Sequence, residues 1–232
     1  MRQIIAMGHG GFSMEESLLD RYILDQTDKE RPRVCFLAQA SSESPDYTIK
    51  FYGAFARLGA RPTHLSLFRL PTADLASFLL EQDVIYVSGG NTRSMLALWR
   101  EWELDTILRQ AWEQGVLLTG LSAGAICWFE EGVTDSVPGE LGPLECLGYL
   151  AGSCCPHYDG EPERRPAFHR LIGQGALLPG YGLEDGVALH VIDDQVEKVV
   201  SALPGATAYY VAESGGEVQE QALQATYLGE QS

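Results

Sequence analysis

The chain has 232 residues, of which 45% are hydrophobic and 21% charged, an ordinary balance for one sizeable domain with its own core. Lys and Arg total 16 against 32 Asp and Glu, a formal charge of −16 that repels phosphate backbones and argues against nucleic acid or anionic membrane as partner. The opening MRQIIAMGHGG is broken too soon by glycine for a signal peptide, and no apolar run nears the ~20 residues that span a bilayer. The five cysteines, Cys35, Cys127, Cys146, Cys154 and Cys155, have no C-x-x-C spacing, so neither a disulfide framework nor a zinc site is expected. The expectation is a soluble cytoplasmic protein with reduced thiols.

QIIAM reads as a strand running into the glycine turn GHGG, followed by a helical period in SMEESLLDRYILDQ. RVCFLAQA is a second strand, and the polar SSESPDY leads to the helix YTIKFYGAFARLG. RPTHLSLF is a third strand, and TADLASFLLEQ a helix with Thr72 as expected N-cap. DVIYVSGG is a fourth strand, followed by the helical stretch TRSMLALWREWELDTILRQAWEQG. VLLTGLSAG is a fifth strand entering another helix. This β-α alternation, with near-continuous apolar strands, predicts an α/β fold with a mostly parallel, doubly wound sheet. Beyond Ala151, VALHVID, QVEKVVSA and ATAYYVAE predict an antiparallel extension of the same single domain, 1–232.

Sites in open α/β sheets lie beyond the carboxyl ends of the strands, here GHGG, AQASSES, SGGNT and GLSAGA. Gly120, Ser122 and Gly124 form G-x-S-x-G, a nucleophile-elbow pattern placed between strand and helix. The same small residues would also suit plain close packing of a helix on a sheet. A reactive serine needs a base. Among the five histidines, His64 and His190 sit in strands and His169 in a helical stretch. His9 lies in the first glycine turn, and His157, in the loop SCCPHYDGE, is best placed as the base. Asp135, Glu140, Asp159, Glu184 and Asp185 compete as the acid behind it. Glycine and Ala123 backbone N–H groups are candidates for an oxyanion hole. The four tryptophans, Trp99, Trp102, Trp112 and Trp128, read as core residues of helices, as do Cys35, Cys127 and Cys146 of the apolar interior. Adjacent Cys154 and Cys155 are expected to pack one in and one out.

YVSGGNT, GLSAGAICW, TDSVPG and CPHYDGE…RR, in this order, resemble the peptidase E family of serine peptidases, the aspartyl dipeptidases, whose relatives include cyanophycinase. The resemblance runs from Ile4 to Val191 and implies a flavodoxin-like sheet of the kind also found in class I glutamine amidotransferases. Those enzymes carry cysteine at the elbow, where this chain has Ser122. The resemblance implies Ser122 as nucleophile, His157 as base, Asp135 as orienting acid, and Gly90 and Ala123 as oxyanion donors. It further implies Asn91 and Thr92 beside the substrate, and Arg165 on a substrate aspartyl carboxylate, with Arg164 the adjacent alternative. The implied substrate is a small peptide, most often a dipeptide with N-terminal aspartate, or a β-linked aspartyl polymer. A catalytically silent ligand-binding homologue is the other reading. No metal or organic cofactor is suggested, and a monomer or homodimer is expected.

Overall fold

A computed structural model describes residues 1–14, 17–139 and 141–229. Five parallel strands form the frame: β1 (Gln3–Met7), β2 (Arg33–Leu37), β3 (Arg61–Leu65), β4 (Val84–Val87) and β5 (Leu117–Leu121). Every residue of β1, β4 and β5 is buried, which is why these segments read as unbroken apolar runs rather than alternating ones. Along β1, Ile4 and Ala6 face one layer and Ile5 and Met7 the other.

Both layers are helical. On one side α1 (Leu18–Asp25) and α2 (Pro45–Arg57) bury Leu19, Ile23, Phe51 and Phe55 against Phe36 and Tyr86. Phe36 and Phe51 stack there with centroids 4.6 Å apart. On the other side lie α3 (Leu75–Leu80), α4 (Thr92–Glu101), α5 (Leu104–Glu113) and the short α6 (Ala123–Ile126). The sheet is therefore doubly wound, as the β-α rhythm predicts.

Three local features differ from the sequence reading. The first helix starts later than its apolar period, because Gly11–Met14 form a separate 3-10 turn. The cap of α3 is Asp74, whose carboxylate accepts from the Ser77 N–H at 2.9 Å, rather than Thr72. The long helical stretch after β4 is two helices, broken where Glu103 adopts φ +55°. Trp99, Trp112 and Trp128 are buried as expected, and Trp102 packs at the edge of the same core.

The carboxyl-terminal part does two things. The antiparallel β10 (Val187–Ile192) and β11 (Gln195–Ser201) extend the frame next to β1, and β14 (Ala225–Tyr227) closes that edge, giving the order β14-β11-β10-β1-β5-β4-β2-β3. A second, six-stranded sheet has the order β13-β12-β9-β8-β6-β7. It is built from β6 (Phe129–Thr134), β7 (Gly142–Glu145), β8 (Leu150–Cys155), β9 (Gly180–Leu183), β12 (Ala208–Ser214) and β13 (Glu217–Ala222). One face of this sheet joins the α6 side of the main core, and α7 (Arg164–Gly173) covers the other with Phe168, Leu171 and Ile172. Cys154 and Cys155 do point to opposite faces of β8, but both faces are covered and both thiols are fully buried. All five cysteines are free. Among the described residues no helix is long and apolar enough to cross a membrane.

Candidate active site

The carboxyl ends of β1, β2, β4 and β5 converge. The Ser122 N–H donates to the Met7 carbonyl at 3.1 Å, and the Asn91 N–H donates to the Ala40 carbonyl at 2.8 Å. Between β5 and α6, Ser122 takes φ +54° and ψ −112°, a backbone region that residues with a side chain avoid. The turn is possible only because its neighbours are small. A Cβ on Gly120 would lie 2.6 Å from the Gly124 carbonyl oxygen, and one on Gly124 would lie 2.4 Å from that of Val87. Both readings of G-x-S-x-G thus hold together: the glycines pack α6 against β4, and that packing lifts Ser122 out of the sheet.

His157 stands in the loop after β8, also at positive φ, +54°. Its Nε2 lies 2.9 Å from Ser122 Oγ and its Nδ1 lies 3.0 Å from Asp185 Oδ1. Asp185 occupies the tight connection from β9 to β10, where the Gly186 N–H donates to the His9 carbonyl at 2.8 Å. Burial works to raise the Asp185 carboxyl, but the hydrogen bond with His157 and the nearness of His9 hold it well below the usual carboxylate range. The hydroxyl, the ring and an ionised carboxylate thus form one hydrogen-bonded chain.

The acid beside His157 is therefore Asp185 and not Asp135. Asp135 follows β6 on the rim of the cleft. Its side chain is 65% exposed, and its carboxylate faces Arg164 Nη2 at 3.6 Å. Of the other acids, Asp159 accepts the Asp185 N–H at 2.8 Å and so holds that turn, while Glu184 accepts from the Thr207 N–H and the Tyr209 hydroxyl on another side of the strand. Glu140 lies outside the described residues.

A cleft of about 220 Å³ opens beside Ser122 and His157, with Gly90, Asn91, Glu161 and Arg164 on its walls. Among the described residues, neither the Gly90 nor the Ala123 backbone N–H donates a hydrogen bond within the chain, so both remain available to a ligand. Gly90 needs its lack of a side chain. It has φ +131°, and a Cβ would meet the Ala40 carbonyl oxygen at 2.1 Å. Asn91 caps α4 by accepting the Ser94 N–H at 2.8 Å and also donates to the Ser136 carbonyl at 2.9 Å, tying the cleft floor to its rim. Thr92, one residue further on, is buried and does not line the cleft.

The two arginines separate because consecutive helical residues diverge by about 100°. Arg165 forms a two-pronged ion pair with Glu220 and lies over the rings of Tyr158 and Tyr209, so it faces the second sheet and not the cleft. Arg164 is 2% exposed. Its Nε donates to Glu161 at 2.6 Å, its Nη1 donates to the Val133 carbonyl at 3.2 Å, and its guanidinium reaches the cleft wall. The sequence signal for this was present in the adjacent RR, but only the phase of α7 separates the two.

The remaining histidines serve elsewhere, apart from His9. His190 bonds Tyr22 and Gln3 in the core, His64 bonds Tyr52 at the surface, and His169 joins Tyr158 and Glu220. The nearest thiol along the chain, Cys127, is fully buried, and that burial pushes it far above the ordinary thiol range, so it offers no thiolate at the elbow.

Comparison with known proteins places the chain in a family. The family model of peptidase family S51 matches residues 4–199. The uncharacterized peptidase YgaJ of Bacillus subtilis (strain 168) is 57% identical over 231 residues, covering 99% of this chain and 100% of its own length. Among solved structures, a peptidase from an acI-B1 Actinobacterium superposes with a TM-score of 0.67 at 18% identity, over 97% of this chain and 95% of the other. A candidate peptidase E protein from Listeria monocytogenes EGD-e gives 0.60 at 17% identity, over 97% and 100%. At that identity the two structures speak for the fold, and the family model and the Bacillus relative for the chemistry. The chain belongs to peptidase family S51 and is a serine-type peptidase.

Proposed function

We propose that the protein hydrolyses short peptides, foremost dipeptides with N-terminal aspartate, through an acyl-enzyme on Ser122. The observation that carries this reading is the chain Ser122–His157–Asp185, with contacts of 2.9 and 3.0 Å. With Asp185 accepting from Nδ1–H, the lone pair of His157 sits on Nε2, facing the Ser122 hydroxyl. His157 takes the hydroxyl proton as Oγ attacks the peptide carbonyl, then gives it to the leaving amine. Water enters by the same route to release the acyl group. The free N–H groups of Gly90 and Ala123 would hold the oxyanion, each worth roughly 3–4 kcal/mol in the transition state.

The cleft suits a small dipolar substrate. Its volume is below the ~300–1,000 Å³ of common ligand pockets, which favours a dipeptide over an extended chain. Arg164 supplies a guanidinium for a side-chain carboxylate, and Glu161 and Asp135 supply anions for a free α-ammonium. A second reading, broader N-terminal specificity, is favoured by the engagement of Arg164 Nε with Glu161 at 2.6 Å, which leaves only part of the fork for a ligand.

The deciding experiment is a panel of Asp-X, Glu-X, Ala-X and β-Asp-Arg dipeptides, with fluorophosphonate labelling of the wild type and Ser122→Ala. Preferential cleavage of Asp-X and labelling confined to the wild type are expected. Turnover of another class without Asp-X would overturn the specificity, and labelling that survives in Ser122→Ala would overturn the nucleophile.

A further inference from the structure

The relay has a neighbour that the hydrolytic reaction does not use. His9, from the glycine turn after β1, lies edge-on to His157 with ring centroids 5.1 Å apart at 75°. Its Nδ1 is 3.9 Å from Asp185 Oδ2, the carboxylate oxygen that His157 does not engage, and too far for a direct hydrogen bond. One ligand atom from each of His9, His157 and Asp185 falls within 4.8 Å of the others.

We propose that His9, His157 and Asp185 form an inhibitory site for a divalent transition-metal ion, with Zn²⁺ the best fit. Two imidazoles and a carboxylate are a borderline-soft donor set that suits Zn²⁺ and is poor for Mg²⁺ or Ca²⁺, which demand more oxygens. Tetrahedral zinc with bonds of about 2.0–2.1 Å places its ligand atoms about 3.3 Å apart, and the three donor atoms here, all within 4.8 Å of one another, reach that spacing by small side-chain rotations. The frame is already set. His9 and Asp185 face each other in a parallel bridge, the Gly186 N–H binds the His9 carbonyl, and Asp159 fixes the Asp185 N–H. All three side chains are partly open to solvent, at 32%, 13% and 23% exposure for His9, His157 and Asp185, so an ion can enter. The net charge of −16 raises cation concentration around the protein.

Inhibition follows from the ring chemistry. In the reactive form His157 carries its proton on Nδ1 and its lone pair on Nε2. A metal on Nδ1 needs the lone pair there, so the ring proton moves through water to Nε2. Nε2–H then donates to Ser122 Oγ and can no longer accept its proton. The same ion takes the Asp185 carboxylate out of the relay. This consequence rests on the proposed hydrolytic reading, whereas ion binding itself does not.

The test separates the two. Zn²⁺ is titrated calorimetrically into chelator-stripped wild type, Ser122→Ala, His9→Ala and His9→Gln, with Mg²⁺ as control. One Zn²⁺ per chain is expected in the wild type and in Ser122→Ala, and at least about tenfold weaker binding in both His9 variants. In parallel, dipeptide hydrolysis by the wild type should fall with added Zn²⁺ and return with EDTA, and each His9 variant should need at least about tenfold more Zn²⁺ relative to its own metal-free rate. Equal affinity in the His9 variants, or no binding up to about 1 mM, would overturn the site. Binding that leaves hydrolysis untouched would overturn the inhibitory role. If no dipeptide is hydrolysed, the calorimetry on Ser122→Ala still decides the site while the hydrolytic reading fails alone.

Discussion

Asp185 Oδ1 meets His157 Nδ1 at 3.0 Å across 28 positions of sequence, and the contact exists only because the β9–β10 connection folds back against the β1 turn. That contact makes Asp185 the residue whose loss should damage the relay. Asp185→Asn keeps the shape but offers the ring an amide, which can hold the wrong tautomer. We expect kcat to fall by about 10³–10⁴ with little change in KM. Asp135→Asn, on the exposed rim beside the α-ammonium, should act mainly on KM and lower kcat by less than about tenfold. Steady-state kinetics of the two variants on one dipeptide checks the assignment; the reverse ranking would return the role to Asp135.

The same carboxylate predicts an acid-linked stability difference. Its folded pKa lies below its unfolded value of about 3.9, so its ionised form stabilises the native state above that pH. This contribution is lost as pH falls through the range between the two values. The stability gap between wild type and Asp185→Asn should therefore shrink as pH falls below about 4. Urea midpoints across that range measure it, and a gap that widens in acid would contradict the low carboxyl pKa.

Ser122 stores backbone strain for its position. Removing only the hydroxyl, as in Ser122→Ala, keeps the φ of +54° and the cost, roughly 1–3 kcal/mol. Ser122→Gly relieves it while losing about 0.5–1 kcal/mol to the freer unfolded chain. Both variants should be inactive, with Ser122→Gly the more stable by about 1 kcal/mol. Thermal unfolding of the pair is the measurement, and equal melting temperatures would mean that the strain is no larger than the chain entropy that glycine costs.

Much of this arrangement was legible in the residues. QIIAM, DVIYV and VLLTG read as strands buried on both faces, and G-L-S-A-G between apolar strand and helix read either as a nucleophile elbow or as close packing of a helix on the sheet, which prove to be one arrangement. His157 was legible from its place after a strand, and the C-terminal strands from their turns. The acid was not, because five carboxylates lay within reach in sequence and only the folded β9–β10 turn brings one to Nδ1. The break at Glu103 was hidden for a different reason. Nothing in REWEL carries the glycine or proline that announces a chain reversal, and the two helices on either side of Glu103 bring Trp99 and Trp112 into one core. Arg164 and Arg165 differ only by helical phase, which a single residue of uncertainty in the start of α7 erases.

The glycine of the elbow should be intolerant of even one carbon. In Gly124→Ala the new methyl would lie 2.4 Å from the Val87 carbonyl oxygen, which is backbone of the central sheet and has little room to move. A loss of about 1–3 kcal/mol is expected, in the range of overpacked core sites. Activity should fall as well, since α6 carries the Ala123 N–H. Gly142→Ala makes a control, because no heavy atom lies within 4 Å of a Cβ there and its backbone is not in the region reserved for glycine. If Gly124→Ala melts like the wild type, the close approach of α6 to β4 is not what sets the turn.

The adjacent arginines give the sharpest test of substrate choice. Arg164 lines the cleft, and its loss removes a cation while leaving Glu161 and Asp135 as uncompensated anions at 44% and 65% exposure, where water softens the penalty. Arg164→Met should therefore fold, yet lose about 10- to 100-fold in kcat/KM for Asp-X, the scale of one charge-assisted hydrogen-bond pair at ~1.5–3 kcal/mol. Ala-X turnover should change much less. Arg165→Met breaks the pair with Glu220 and uncovers Tyr158 and Tyr209, so it should lower stability without altering the Asp-X to Ala-X ratio. Should Arg165→Met change that ratio while Arg164→Met leaves it alone, the carboxylate would have to bind on the side of the second sheet, away from Ser122, and the cleft reading would fail.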